Sequence, residues 1–261
     1  VQPYWAYQRR GYSPQKIQRL STAYRCRLAC ALCRARASQQ TAIISSEDCW
    51  SLAQGELRRI KDHLHAEDFA IKVLVYLRPI KAWIESALQQ NLKYHTGFLD
   101  LDTLTKNPRL LDRINYTSKL QALATVFGED NLIARPFTRR ALVNGCAVQD
   151  FCATLGLSFR PRAIARVNDG LSADAARILF AYNQYSRLAN TPSFAQNHLL
   201  VMHLETLGGE PFRLHSSLLS PIADFIERQN QQIEERHGID ISEPLQAADD
   251  GPCIRDPGDL Q

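Results

Sequence analysis

The feature that most constrains the fold is an apolar run at residues 71–77 that stops abruptly at Arg78-Pro79. Its residues, Ile-Lys-Val-Leu-Val-Tyr-Leu, are mostly β-branched, aliphatic or aromatic, which is typical of a strand covered on both faces. Because Pro79 cannot donate a hydrogen bond to a neighbouring strand, the strand is predicted to end before it. The Arg78 guanidinium is then expected at the carboxyl edge of the sheet, where open α/β sheets bind ligands.

Ser86 follows Arg78 by eight residues, within a stretch of helix-compatible composition. It is therefore predicted on the first two turns of the helix after the strand, near enough to Arg78 to share one phosphate. Arginine offers a planar fork of donors, serine a short hydroxyl, and the start of a helix a favourable dipole, so the pair suits an anion. The alternative is that an arginine at a strand end and a serine on a helix occur together by chance.

A second short strand is predicted at residues 41–47, followed by a helix-compatible stretch. Strand, helix and strand form a crossover unit, and a right-handed crossover would bring Glu47 and Arg78 to one edge of a parallel sheet. A carboxylate would then face the anion-binding pair across a crevice. In the alternative interpretation, Ser46 or Asp48 caps the helix that follows, and Glu47 stabilises its first turn.

These features, in this order, resemble the sulfotransferase superfamily, and most closely its bacterial branch that modifies carbohydrates. The resemblance spans roughly residues 40–157 and continues more loosely through the C-terminal helices. Beyond the residues already described, it is carried by Tyr116, Leu120, the turn at residues 127–132, the strand at residues 133–137, Gly145 and Asp150-Phe151.

The resemblance implies an α/β fold, a three-layer fold like that of the P-loop nucleotide hydrolases, with a parallel sheet and a mostly helical C-terminal part. It implies that Arg78 and Ser86 hold the 3′-phosphate of the sulfuryl donor, 3′-phosphoadenosine-5′-phosphosulfate, and that Glu47 is the catalytic base. Sulfuryl transfer to a carbohydrate hydroxyl needs a group that accepts the hydroxyl proton, and a carboxylate in a partly dry crevice suits that role. The expected function is therefore that of a sulfotransferase with a carbohydrate acceptor and no metal.

One part of the family pattern is missing from this sequence. Sulfotransferases begin with a strand and a Lys-x-Gly-Thr-Thr-like loop, whose N–H groups and lysine bind the 5′-phosphosulfate. Here the only glycine before Glu47 is Gly11, without that spacing or lysine. We therefore expect the first strand, its loop and part of the first helix to be absent, because the sequence is a fragment or because they have been lost. The alternative function is a catalytically inactive relative that keeps a nucleotide or glycan pocket.

The cysteines offer a rival enzyme interpretation. Cys26, Cys30 and Cys33 have the Cys-x-x-x-Cys-x-x-Cys spacing of a radical-SAM iron–sulfur site, and the Gly-Gly-Glu-Pro run at residues 208–211 resembles a later motif of that family. The three positions lie on one face of a predicted helix, however, and repeated β/α units do not follow. The sequence therefore favours the interpretation that these cysteines are small, buried residues of a helix and that their thiols are free because the compartment is reducing.

Composition indicates a globular chain of 261 residues, of which 45% are hydrophobic and 22% are charged. One domain is predicted over residues 1–246, with a helical cover at residues 160–246 and a disordered tail, rich in Asp, Gly and Pro, at residues 247–261. Five residues of the cover could reach a substrate, although structural roles are favoured for them: Tyr182, Asn183, Arg213, His215 and Asn230.

The net charge of +4 fits an anionic nucleotide or an acidic glycan, but it is too small to indicate a nucleic-acid partner. Arg25, Arg27, Arg34 and Arg36 lack the interleaved aromatic residues of an RNA-binding surface, so a solvated helix face is predicted there. No apolar run is long enough to span a membrane, no signal peptide is visible, and the histidines show no metal-ligand spacing. We therefore expect a cytoplasmic protein without a metal site.

Overall fold

The structure, a computed structural model, describes residues 12–66, 68–94, 101–158, 170–188, 194–245, 249 and 251–260. The chain divides into two compact units, one formed by Val1–Leu74 with Ser118–Ile133 and the other by Val75–Thr117 with Ala134–Gln261. The single domain over residues 1–246 stays a prediction. Each unit is described separately below.

The secondary structure is mixed and mostly helical. In chain order, the described α-helices and β-strands are α1 (Pro14–Ala37), α2 (Gln54–Ala66), β1 (Val73–Leu77), α3 (Ile80–Tyr94), α4 (Pro108–Ile114), α5 (Tyr116–Phe127), β2 (Leu132–Pro136), α6 (Ala147–Thr154), α7 (Ala173–Leu188), α8 (Phe194–Leu204) and α9 (Ala223–His237). Short 3₁₀ helices occupy Glu47–Ser51, Leu101–Lys106, Glu129–Asn131, Val143–Gly145, Ser216–Leu218, Ser220–Ile222 and Pro257–Leu260.

β1 and β2 pair in parallel and form the only sheet in the described parts of the chain. Just beyond β2, the Phe137 N–H donates to the Leu77 carbonyl oxygen at 2.6 Å and continues the pairing to the end of β1. The strands predicted at residues 71–77 and 133–137 are confirmed with small shifts of their ends. A parallel pair among helices agrees with the α/β class, while the three-layer P-loop-like arrangement stays a prediction.

The strand predicted at residues 41–47 is wrong. Residues 41–46 have irregular backbone, and the 3₁₀ helix Glu47–Ser51 follows them directly. Ile43 and Ile44 are 54% and 53% exposed. Since a central strand of a parallel sheet buries its apolar side chains on both faces, this short run lacks the packing that would hold it in a sheet.

In the first unit, α1 begins where the Ser13 hydroxyl accepts the Lys16 N–H at 3.2 Å, with Pro14 as its first residue. Only three side chains of this long helix are buried: Ile17, Leu32 and Ala35. Elsewhere in the unit, α2 and α5 are tied by the Lys61 ammonium, which donates to the Val126 carbonyl oxygen at 2.6 Å.

In the second unit, α3 packs against α7 and α8. The core includes side chains with no exposed surface on three helices, namely Ile84 of α3, Leu110 of α4 and Leu179 of α7. The helices predicted in the C-terminal part are therefore present, and α7 is one of the two that pack against α3.

The C-terminal end of α9 and the residues after it are also ordered by specific contacts. Gly238 adopts a left-handed conformation (φ 65°), and its N–H donates to the Glu234 carbonyl oxygen at 2.8 Å, so it forms the C-cap of α9. Farther on, Ile254 pairs with Leu214 in a parallel bridge and is 1% exposed. The described residues 251–260, which belong to the tail predicted to be disordered, bury apolar side chains such as Leu260, whose 3₁₀ helix packs against α7.

Candidate functional site

Arg78 lies directly after β1, at the carboxyl end of the strand, as predicted. Its side chain is half-buried, and its guanidinium carbon lies 5.1 Å from the ring centroid of Phe137, the first residue after β2. A cation above an aromatic face is stabilised by the ring quadrupole. The Tyr116 hydroxyl donates to the Arg78 carbonyl oxygen at 3.1 Å. Arg78 is therefore held from both its backbone and its side chain at the edge where the two parallel strands end.

Ser86 lies on α3, which begins two residues after Arg78. The first turn of this helix is closed by the Trp83 N–H, which donates to the Pro79 carbonyl oxygen at 2.9 Å. Ser86 is the seventh residue of α3 and is half-buried, so it occupies the end of the second turn, as predicted. Arg78 and Ser86 thus belong to the same unit, one before and one after the start of α3.

Glu47 belongs to the first unit and is the first residue of the 3₁₀ helix Glu47–Ser51. It is exposed, and the Ser46 hydroxyl beside it accepts the Asp48 N–H at 3.2 Å. The capping interpretation of this segment is therefore confirmed. Because the strand before Glu47 is missing, the sheet-edge argument that placed it opposite Arg78 does not apply, and its role as a base rests on the family resemblance alone.

A buried charged network links both strands of the sheet to α6, and the sequence pattern did not predict it. Asp150 of α6 has no exposed surface. The Arg135 guanidinium of β2 donates to both its oxygens at 2.6 Å, and the Tyr76 hydroxyl of β1 donates to Oδ2 at 2.7 Å. A fourth donor, the Val143 N–H, lies 3.2 Å from Oδ1. These bonds satisfy a carboxylate that would otherwise be costly to bury.

The protonation states within this network follow from the same contacts. The Arg135 guanidinium holds the pKa of Asp150 below its ordinary value. Burial, together with the hydrogen bond to Asp150, raises the pKa of Tyr76 to about 12. Asp150 is therefore ionised and Tyr76 protonated near neutral pH. In the sequence, Tyr76 and Arg135 stand out as polar residues inside otherwise apolar strands. The strand sequences alone do not show which group each of these side chains contacts.

A second buried carboxylate, Glu85, immediately precedes Ser86 on α3. Its side chain is 4% exposed and accepts the Leu214 N–H at 2.9 Å and the Arg213 guanidinium at 3.1 Å. Burial raises the pKa of Glu85, while Leu214, Arg213 and Lys81 oppose the rise only in part. Keeping Glu85 ionised therefore lowers the stability of the folded state. Its partner Arg213 is 44% exposed, so water partly screens the attraction that would offset the burial of the charge.

We expect Glu85→Gln to change how stability depends on pH. The folded pKa of Glu85 lies above its unfolded value, so the unfolded chain loses this proton first as the pH rises. The wild type should therefore lose stability from the ordinary glutamate pKa up through the raised folded pKa, and the variant should lack this loss. Urea unfolding at a series of pH values measures the difference. Exposed Glu227 of α9 provides the matched control, Glu227→Gln. The expectation would be contradicted if the free energy of unfolding of the wild type, relative to that of Glu85→Gln, did not fall as the pH rises.

Three of the five residues of the helical cover that could reach a substrate make contacts within the protein. The buried Asn183 amide donates to the Leu92 carbonyl oxygen at 2.9 Å, and Arg213 pairs with Glu85. His215 caps a 3₁₀ helix, where its Nδ1 accepts the Ser217 N–H at 3.2 Å. These contacts agree with the structural roles that the sequence favoured.

The three N-terminal cysteines lie within the continuous helix α1, as expected, and not in a loop. Cys26, Cys30 and Cys33 are all exposed, so the prediction that they are buried is wrong. The physical reason is that α1 buries only one narrow stripe, which the cysteines do not share. Among the residues that the structure describes, no group of three His, Cys, Asp or Glu side chains is placed to hold a metal ion.

No protein-family model, no curated protein and no solved structure matches this chain. Among the helices described, none is both long and apolar enough to cross a membrane. The functional argument therefore depends on the geometry of the site and on the sequence pattern.

Proposed function

We propose that this protein binds the 3′-phosphate of 3′-phosphoadenosine-5′-phosphosulfate with Arg78 and Ser86 and transfers the sulfuryl group to a carbohydrate hydroxyl. The observation that carries the proposal is the position of Arg78, held at the carboxyl edge of a parallel strand pair with its guanidinium above Phe137. Ligands of open α/β sheets bind at this kind of edge.

Three properties of the junction between β1 and α3 suit a phosphate. The aromatic ring under the Arg78 guanidinium leaves the edges of the fork, where its donors lie, available to an anion. Ser86 adds a hydroxyl that rotates to suit its partner. The positive end of the α3 dipole lies at the same junction, because this helix of 15 residues begins two residues after Arg78.

The proposed reaction is an in-line transfer without a covalent enzyme intermediate. The acceptor hydroxyl oxygen forms a new bond to sulfur while the bond between sulfur and the 5′-phosphate oxygen breaks. Adenosine 3′,5′-bisphosphate leaves with the electron pair of that bond, and the hydroxyl proton passes to a base. In this proposal the base is Glu47, a role that rests on the family resemblance, since its carboxylate is exposed and not enclosed in a dry crevice.

The second candidate function is that of a non-catalytic relative that binds the nucleotide or a glycan. It is favoured by the local capping structure around Glu47, which explains an acidic residue at that position without catalysis. Release of adenosine 3′,5′-bisphosphate from the donor in the presence of carbohydrate acceptors, abolished by Glu47→Gln, would decide for the enzyme.

Calorimetric titration with adenosine 3′,5′-bisphosphate tests the binding site itself. We expect Arg78→Ala to weaken binding by roughly 10- to 100-fold, the effect of losing a charged hydrogen bond worth about 1.5–3 kcal/mol. Ser86→Ala should weaken binding less, because a neutral hydroxyl contributes about 1 kcal/mol. Circular dichroism verifies that each variant is folded.

Two controls sharpen this titration. Arg78→Lys keeps the charge but removes the fork, so it should bind more weakly than the wild type if the phosphate is held in a bidentate manner. Arg109→Ala removes an exposed arginine of α4 and should leave affinity nearly unchanged. Equal affinities for the wild type, Arg78→Ala and Ser86→Ala would refute the site, as would a folded wild type that does not bind the nucleotide.

A further inference from the structure

The positive charge of this chain is concentrated at its N-terminal end. The first 46 residues contain eight Arg and Lys and no Asp or Glu, whereas the remaining residues hold 23 basic against 27 acidic side chains. A segment of charge +8 therefore precedes a remainder of charge −4. The net charge of +4 averages over these two parts and conceals the basic one.

Most of this charge is displayed on α1. The helix has 24 residues and so extends about 36 Å. Four of its exposed cations, which we call the basic face, follow one another at helical spacings along one side: Lys16, Arg19, Arg27 and Arg34. The side chains that α1 buries, such as Ile17 and Ala35, lie on a different stripe of the helix. The basic face is therefore turned to solvent along most of the helix.

The residues that lie between the cations limit which kind of macromolecule the basic face can bind. On the basic face these positions are filled by the small residues Ala23 and Cys30. Binding of a single strand depends on aromatic side chains that stack on bases, and insertion into a membrane surface depends on large apolar ones. The basic face itself carries no large apolar side chain, and the two aromatic rings nearest to it are already covered by its cations. The Lys16 ammonium lies 3.7 Å from the ring centroid of Tyr12, and the guanidinium carbon of Arg27 lies 5.9 Å from that of Tyr24. Small residues do, however, let a helix come close to a charged backbone, and an α-helix fits the major groove of a duplex, which is about 12 Å wide.

We infer that the basic face of α1 binds the phosphate backbone of double-stranded nucleic acid without sequence preference. Arginine outnumbers lysine seven to one in the acid-free segment, which suits forked contacts to phosphate oxygens. Because Tyr12 and Tyr24 are engaged by cations of the basic face, their rings are less open to stacking on the bases of a single strand, whereas contacts to a duplex backbone need no ring. This inference is independent of the nucleotide site, since it rests on other residues and another ligand.

Salt dependence follows from the number of cations. Four phosphate contacts predict a slope of roughly −3 to −4 in a plot of log affinity against log salt. Affinity should then fall roughly 100-fold between about 50 and about 200 mM salt. We propose to measure it by fluorescence anisotropy, using the full chain and a labelled mixed-sequence DNA duplex of about 20 base pairs.

The decisive variant is Arg19→Gln/Arg27→Gln/Arg34→Gln, because glutamine removes the charge and keeps helix propensity. We expect it to weaken duplex binding by more than about 30-fold at low salt and to reduce the salt slope by about 3. The matched control, Arg58→Gln/Arg59→Gln/Arg109→Gln, removes the same charge from exposed positions on α2 and α4. It should weaken binding by less than about threefold, and circular dichroism verifies the folding of both variants.

Each of the other outcomes overturns the inference. Equal losses in the two triple variants would mean that only the net charge matters. No binding of the duplex by the wild type at low salt would exclude the site. Tighter binding to a single strand, to a sulfated polysaccharide or to anionic lipid vesicles than to the duplex would assign the basic face to a different partner.

Discussion

Asp150→Asn is expected to lower the free energy of unfolding by about 2–3 kcal/mol at neutral pH. The substituted amide would offer only one acceptor oxygen to the three groups that donate to the carboxylate, and it would leave the Arg135 guanidinium without its counter-charge. Fully buried pairs lose roughly 3–5 kcal/mol when one partner is removed. The smaller value is expected here because the Arg135 side chain is 31% exposed, so water partly compensates for the loss.

Urea unfolding of the wild type and of Asp150→Asn measures this effect, and a surface ion pair provides the control. Asp174 lies 3.0 Å from Arg177 and is 70% exposed, so Asp174→Asn should cost less than about 1 kcal/mol.

The loss in Asp150→Asn should also depend on pH in a defined direction. The pKa of Asp150 is lower in the folded protein than in the unfolded chain. The stability that the ionised carboxylate contributes is therefore complete above the ordinary aspartate pKa and is lost as the pH falls through the pKa of the folded state. Equal losses at the two aspartates would contradict the expectation.

Ile84→Ala is expected to lower the free energy of unfolding by about 2–5 kcal/mol, through lost apolar burial and the cavity that remains. Ile84 has no exposed surface, and its helix, α3, packs against α7 and α8. Urea or thermal unfolding with circular dichroism measures the change.

The control for Ile84→Ala removes the same atoms from an exposed helix position. Ile178 of α7 is 45% exposed, so Ile178→Ala should change stability by less than about 0.5 kcal/mol. A loss at position 84 no larger than the loss at position 178 would show that α3 is not part of the core. The comparison bears on function, because α3 also carries Glu85 and Ser86.

Several elements near the candidate site were predictable because local interactions determine them. Pro79 ends β1 through its own ring, which fixes the position of Arg78 relative to the strand. Ser86 lies within two turns of the start of α3, since a helix covers that distance in a constant number of residues. Gly238 ends α9 because a left-handed residue costs glycine little.

The strand predicted at residues 41–47 shows where local patterns are insufficient. An alternation of apolar and hydroxyl residues is compatible with a strand, but a strand exists only when another one pairs with it and its side chains are covered. At residues 41–46 neither condition is met, and Ile43 and Ile44 stay exposed. The capping preference of Ser46, a local interaction, determined the structure that follows.

By itself, the sequence determined where β1, α3 and α9 end or begin, the place of Arg78 at a strand end, and the separation of charge between the first 46 residues and the rest. These depend on neighbours in the chain or on composition. Only the tertiary structure decided that Asp150 meets Tyr76, 74 positions away, and that Glu85 meets Leu214, 129 positions away. Burial and pairing of such groups depend on which distant segments pack together, and that packing sets their pKa values and their contribution to stability.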